Sequence, residues 1–358
     1  MKKASKSKEW KAYLRHRNRP SQRRKFSFLN IQNESDSTSP ARIHWQYRCY
    51  LPEELSFVDN PEGMLELYDT LKQQAILGKN IIFSFKNTKR MTNDAIAFLV
   101  AAMKTEPLSS TNHYGNLPED PKLLQKLIDT KFLDYVNVRK PLPQSTNAVA
   151  YGAIQSKKDS NSLEEVVDWG MKKMFGGDKY PQLTDRLKVL LVECMINTTE
   201  WAGVKSAYKG EIIRKNNPIP WIVNAHYDEE KDKLCVAFLD FGIGMLETIK
   251  RKAIRTILEV IQKLSAGDIL KNALMGVYGS SSGELARGGG FLIISGCYEQ
   301  NFVRRLVVIS NDGYIDLNRG SGTMTEIPRK LASPFKGTFI YFEVDRNNGT
   351  SRHDVTNS

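Results

Sequence analysis

Residues 184–202 read TDRLKVLLVECMINTTEWA, and the spacing of apolar residues in this stretch decides what must surround it. Leu187, Val189, Leu190, Leu191, Val192, Met195 and Ile196 cover most of the circumference of a helix, so the helix is expected to be buried. Within that apolar rod Glu193, Asn197 and Glu200 stand at i, i+4 and i+7 and make one polar stripe. A buried carboxylate without a partner is costly, and the usual resolutions are a hydrogen-bond network or a metal ion. Carboxylate, amide oxygen and water are the ligands magnesium prefers. A helix lying half in solvent would carry the same stripe, so its meaning depends on the neighbouring segments.

Upstream, Ser162 and Glu165 have capping-box spacing and open a helix running through Val166, Trp169 and Met174, while a second helix begins near Thr184. Downstream come strands over 221–227 and 234–239, then helices, a glycine-rich segment, and strands around 306–310 and 338–344. Two helices ahead of an antiparallel sheet predict an α+β sandwich over 163–345. Residues 44–142 are expected to form a smaller α/β domain, with strands near 47–51 and 80–85 and helices over 61–75, 93–103 and 122–133. Pro141, Pro143, Gln144, Ser145, Thr146 and Asn147, followed by the polar run 156–162, mark a linker over 143–162. A second linker spans 26–43, and residues 346–358 have the composition of a frayed tail.

Three further segments carry chemistry. LCVAFLDFGIGM is an apolar strand ending in Asp240, after which Gly242 and Gly244 let the main chain turn and a flat ligand approach the backbone. An aspartate held at a strand end can accept a hydrogen bond from an exocyclic amine. ELARGGGFLII places Gly288, Gly289 and Gly290 just before an apolar helix, whose first N–H groups suit phosphate oxygens. Lys336, Gly337 and Thr338 are expected to open the last strand, with the hydroxyl in reach of a bound base.

In chain order ECMINTTEWA, DFGIG, RGGGFL and the Gly337–Thr338 pair resemble the N, G1, G2 and G3 boxes of the GHKL (Bergerat-fold) ATPase superfamily. Gyrase B subunits, mismatch-repair ATPases, histidine kinases and anti-sigma-factor kinases belong to it. The resemblance implies a Bergerat-type two-layer α/β sandwich over 163–345 that binds ATP and magnesium (Mg2+). It implies that Asp240 takes the adenine amine with Thr338 nearby, and that Asn197, with Glu193 beside it, serves the metal bridging the phosphates. Glu193 is then the general base for the attacking water, and Gly288, Gly289 and Gly290 hold the phosphates. Residues 245–287 correspond to the lid, with Ser280, Ser281, Ser282 and Gly283 as its moving part. Trp201 stands where many members carry histidine, and a plain glycine triplet replaces alternating glycines. The run NIIFSFKNTKRMTNDAIAFLVAAM, residues 80–103, resembles the central part of STAS domains, the modules that pair with anti-sigma-factor kinases. Asn93 and Asp94, with Thr92 and Thr88 only adjacent, stand where those modules carry a phosphoacceptor hydroxyl.

Bulk properties narrow the classes. The chain has 358 residues, enough for two cores, and its 41% hydrophobic and 26% charged residues exclude a disordered or fibrous protein. The longest apolar stretch, 95–103, is about half a membrane span, and MKKASKSKEW has no apolar core, so a cytoplasmic protein with no membrane segment is expected. Cys49, Cys194, Cys235 and Cys297 include no CxxC pair, which argues against a zinc site or disulfide framework. Of the net charge of +12, residues 1–25 carry +10, eleven Lys and Arg against Glu9 alone. Such a basic arm attracts nucleic-acid phosphates, with Trp10 and Tyr13 available to stack, or simply solubilises the chain.

Asp240–Gly242 is not a eukaryotic-type kinase signature, because no glycine-rich loop precedes it and Lys233 stands where the metal-binding asparagine belongs. Gly78–Lys79 lacks the earlier glycine of a P-loop. The expectation is therefore a magnesium-dependent ATPase acting as a nucleotide-driven switch on an unknown protein partner, with homodimer formation the frequent route among GHKL relatives. Two alternatives stay open: a serine/threonine protein kinase resembling anti-sigma-factor kinases, and an ATP-regulated nucleic-acid binder using its arm.

Overall fold

A computed structural model of the protein describes residues 45–130, 132–134, 136, 148–153, 160–176, 180–198, 221–252, 255–277, 290–319 and 325–346. The chain divides into two units, Met1–Ile43 and His44–Ser358. The basic arm and the 26–43 linker fall in the first and lie outside the described residues, as does the tail beyond Arg346. The second unit is α+β, with both parallel and antiparallel sheets.

Its N-terminal part begins with a parallel sheet in the order β1-β3-β5, made by β1 (Gln46–Tyr50), β3 (Asn80–Ser84) and β5 (His113–Gly115). A two-stranded ladder, β2 (Glu54–Leu55) and β4 (Arg90–Met91), flanks it. Helix α1 (Pro61–Ile76) starts where Asn60 accepts from Gly63 N–H at 3.1 Å and Pro61 supplies a ready-made φ at the first helical position. Helix α2 (Asn93–Met103) is buried at every residue from Asp94 to Met103. An all-round apolar helix needs partners on all sides, and α2 has them because it packs against strands of the second sheet. Asp94 is turned inward, its Oδ2 accepting from Phe57 N–H (2.8 Å) and Val58 N–H (3.0 Å). Burial holds that carboxyl above its ordinary pKa, and its two hydrogen bonds fix the loop after β2. Helix α3 (Pro121–Asp129) is capped by Asp120 on Lys122 N–H at 2.7 Å.

The second sheet is antiparallel throughout, in the order β6-β7-β8-β10-β9. Its strands are β6 (Ala148–Ala153), β7 (Trp221–Asp228), β8 (Lys233–Asp240), β9 (Arg305–Asn318) and β10 (Thr325–Asp345). The ends of β9 meet, with Arg319 N–H donating to Arg304 O at 3.0 Å, because the strand doubles back at Asn311, whose φ is 53°. One face of this sheet carries Val223, Phe238, Val308 and Ile340 and packs under α4 (Ser160–Phe175), α5 (Pro181–Ile196), α8 (Ala266–Leu274) and α9 (Gly290–Glu299). Two further helices, α6 (Met245–Lys252) and α7 (Arg255–Ile261), precede α8. The other face carries Ile222, Ala237, Leu239, Val307, Ile309, Phe339 and Tyr341, which share one core with Phe57, Phe98 and Leu127 of the N-terminal part. The sheet is thus the middle of three layers. Arg305 clamps the joint, bonding Asp316 through Nε (3.1 Å) and Nη2 (2.8 Å) and Asp59 through Nη2 (3.2 Å).

Several sequence expectations change. The segment read as the 143–162 linker contains β6, an edge strand of small residues with too weak an alternation to stand out. Helix α4 starts at Ser160, so Ser162 and Glu165 lie inside it rather than forming a capping box at its entrance. Helix α5 starts at Pro181, three residues early, since proline suits the first turn, and Thr184 Oγ1 donates back to Tyr180 O at 2.9 Å. Val189 is 45% exposed, so α5 has an open side. Lys336, Gly337 and Thr338 sit within β10, which runs from Thr325, at a bulge between Phe335 and Thr338. Within the segment read as a lid, 245–287, Met245, Leu246, Ile269, Leu270 and Leu274 are core residues, and a Cβ on Gly267 would overlap the Arg329 backbone. The part read as moving, Ser280–Ser282 with Gly283, falls in residues 278–289, which with Gly288 and Gly289 lie outside the described residues. No helix among the described residues is long and apolar enough to cross a membrane.

Candidate functional site

Antiparallel register places four side chains in a row across the sheet: Trp221 on β7, Asp240 on β8, Thr338 on β10 and Ser310 on β9. All four share the parity of Val223, Phe238, Ile340 and Val308, so they project toward the helix layer. Asp240 is 4% exposed. Its Oδ1 accepts from Gly242 N–H at 2.7 Å, its Oδ2 lies 3.1 Å from Thr198 Oγ1, and Thr338 reaches it with both backbone and hydroxyl. Burial is the largest influence and pushes the carboxyl from 3.8 up to about 6, against the opposing pull of those four hydrogen bonds.

Thr198 comes from the end of α5, where Asn197 and Thr198 widen the last turn into π form. Its Oγ1 also lies 3.2 Å from Cys194 O, yet a hydroxyl has one proton to give. When the proton goes to Cys194, Asp240 Oδ2 has a lone pair open to an outside donor. Asn197 Nδ2 is buried and has no hydrogen-bond partner among the described residues. An orphaned buried amide is costly and marks a place where a polar ligand group fits. Glu193, one turn earlier, is half-buried and accepts Asn197 N–H at its carbonyl. The Cys194 thiol between them is pushed up by burial first, then by the charges of Glu193, Cys297 and Asp240.

The turn after Asp240 is held from the neighbouring strand. Ser310 Oγ accepts from Met245 N–H (2.6 Å) and donates to Gly337 O (2.8 Å), with Thr338 Oγ1 3.4 Å away. Asn311 donates from Nδ2 to Ile243 O (2.9 Å) and accepts Glu247 N–H at Oδ1 (3.3 Å), capping α6. Gly244 has φ 85° and Gly337 φ 148°, and a Cβ on the first would overlap the Asn311 side chain and on the second the Asp240 carbonyl. Gly242 contributes only its N–H. Gly290 is the first residue of α9, which packs on α5, so the helix after the glycine triplet rests against the helix bearing Glu193 and Asn197.

Asp240, Gly242, Gly244 and Thr338 therefore converge on the α5 end that carries Asn197, through Thr198. Gly288, Gly289, Glu200 and Trp201 lie outside the described residues. Sequence reasoning passed over Thr198, Trp221, Ser310 and Asn311. The SNDG run at 310–313 is a turn signal that could have marked the last two, whereas Trp221 is visible only through the register. Trp221 is fully buried, stacks on Phe238 (5.5 Å, 16°), and its Nε1 has no partner among the described residues. Among the described residues no three His, Cys, Asp or Glu side chains form a metal cage. Magnesium with a nucleotide needs only one or two protein oxygens, the rest coming from phosphates and water, and Asn197 with Glu193 fits that need. No protein-family model matches this chain, and no curated protein matches it.

Proposed function

We propose that the chain is a GHKL, Bergerat-type ATPase that binds ATP with magnesium and acts in the cytoplasm as a nucleotide-driven switch on a protein partner. The observation that carries this reading is the convergence of Asp240, Thr338 and the α5 end bearing Asn197 and Thr198, three segments far apart in sequence. A buried carboxylate in a row of hydroxyls suits an exocyclic amine, and the orphaned Asn197 amide suits phosphate oxygen on one atom and magnesium on the other. The element order supports the same reading: α5, the β7–β8 hairpin, α9, and β10 returning beside β8. Glu193 stands one turn from Asn197 and takes the general-base role. Incubation of the purified chain with γ-labelled ATP and magnesium tests this. Released phosphate that depends on Glu193 supports the ATPase, while label retained on a partner protein supports the kinase alternative and removes the switch.

A further inference from the structure

Asp240 and Phe241 are consecutive, and they serve opposite sides of the sheet. Asp240 projects toward the helix layer, while the Phe241 ring lies 5.8 Å from Tyr68, 6.3 Å from Phe98 and 5.6 Å from Phe335. Phe335 sits 5.7 Å from both Phe57 and Phe98, and Phe339 sits 4.7 Å from Phe57. Tyr68 belongs to α1, Phe98 to α2 and Phe57 to the loop that Asp94 fastens. Two strand ends of the candidate site thus have near chain neighbours in one aromatic cluster: Phe241 beside Asp240, and Phe335 and Phe339 on either side of Gly337 and Thr338.

Most of this cluster is tightly enclosed, and Phe241 is its partly buried member. Phe57, Phe98, Phe335 and Phe339 are fully buried, and every residue of α2 from Asp94 onward is buried too. Close-packed rings do not deform continuously, so a shift at one must be taken up by its neighbours. The two strand ends turn at Gly244 and Gly337, which have positive φ, and β10 is bulged between Phe335 and Thr338. The cluster extends to Tyr68 on α1, whose ring carries Lys72 Nζ at 4.9 Å.

We propose that occupancy of the Asp240–Thr338 site is coupled to the packing of α1 and α2 through this cluster, with Phe241 as the positioning residue and α1 as the output face. The proposal rests on the nucleotide reading given above. The probe is hydrogen exchange on the full chain with and without saturating ATP and magnesium. Nucleotide slows exchange in residues 61–76 and 93–103 by about threefold or more, and in Phe241→Leu, taken to saturation with the same nucleotide, that slowing is lost. Leucine keeps an apolar group in place, so the variant retains a packed core. Unchanged exchange in a wild type that does bind ATP overturns the coupling alone, as does slowing that persists in Phe241→Leu. If wild type binds no ATP, the functional reading fails and the coupling is judged in the free protein by urea unfolding of Thr338→Val, Phe98→Leu and the double variant. These residues lie on opposite sides of the sheet, so additive effects overturn the coupling and non-additive effects support it.

Discussion

Replacing Asp240 by asparagine should stabilise the free protein at neutral pH while destroying its proposed function. The carboxyl is 4% exposed and titrates near 6 rather than 3.8, so the folded state holds a proton that the unfolded state has already lost across that interval. Stability therefore falls as pH rises from about 4 through 6 and levels off above. With the carboxyl buried away from screening solvent, a shift of this size corresponds to about 3 kcal/mol. Asparagine is a near-isostere of the protonated form: its oxygen accepts Gly242 N–H, its amide donates to Thr198 Oγ1, and the Thr198 proton then serves Cys194 O. Urea unfolding of wild type and Asp240→Asn between pH 4 and 8 isolates the difference. The variant should lack this pH-dependent loss and be more stable than wild type by up to about 3 kcal/mol at pH 7.5. A wild-type minus variant difference that is flat with pH, or a variant less stable at pH 7.5, refutes the reasoning about the buried carboxylate.

Other outcomes follow from the same geometry. Thr198→Val removes a hydroxyl from the Asp240 carboxylate, so the carboxyl should titrate above its wild-type value of about 6 by NMR, and an unmoved titration would show that the hydroxyl serves Cys194 alone. Gly337→Ala forces a Cβ onto the Asp240 carbonyl at a φ of 148°, and should lower stability by about 2 kcal/mol or more in chemical unfolding. Glu193→Gln should keep ATP affinity within about threefold while slowing hydrolysis on the order of a hundredfold, measured by phosphate release.

Periodicity carried most of the secondary structure, because the strongest signals were also the most buried. The α2 helix is apolar all round since it is buried along its length and packs against β7 and β8, and Asp240 stood out as a carboxylate closing an apolar strand. What pattern alone could not show was the register. Trp221, Asp240, Thr338 and Ser310 become a row only once four strands are aligned, and no local feature of Trp221 anticipates its place opposite an aspartate. Strand β6 escaped notice because Ala148–Ala153 is short and built of small residues. The joint between the N-terminal part and the sheet was hidden for a related reason. Leu239, Ile309 and Phe339 look like ordinary strand residues whichever layer they meet, yet they share a core with Phe57 and Phe98. Of the lid read over 245–287, Leu270 and Leu274 of α8 are core residues, while its moving part, 280–283, lies outside the described residues.

The central claim is that one adenine nucleotide is held between the α5 end and the Asp240–Thr338 pair. Calorimetric titration of ATP with magnesium into wild type and Asp240→Asn tests it most directly. The account predicts saturable one-site binding by wild type and a loss of at least about a hundredfold in the variant, since the buried acceptor for the exocyclic amine is gone. Equal binding by the two proteins, or none by a wild type that is folded, contradicts it.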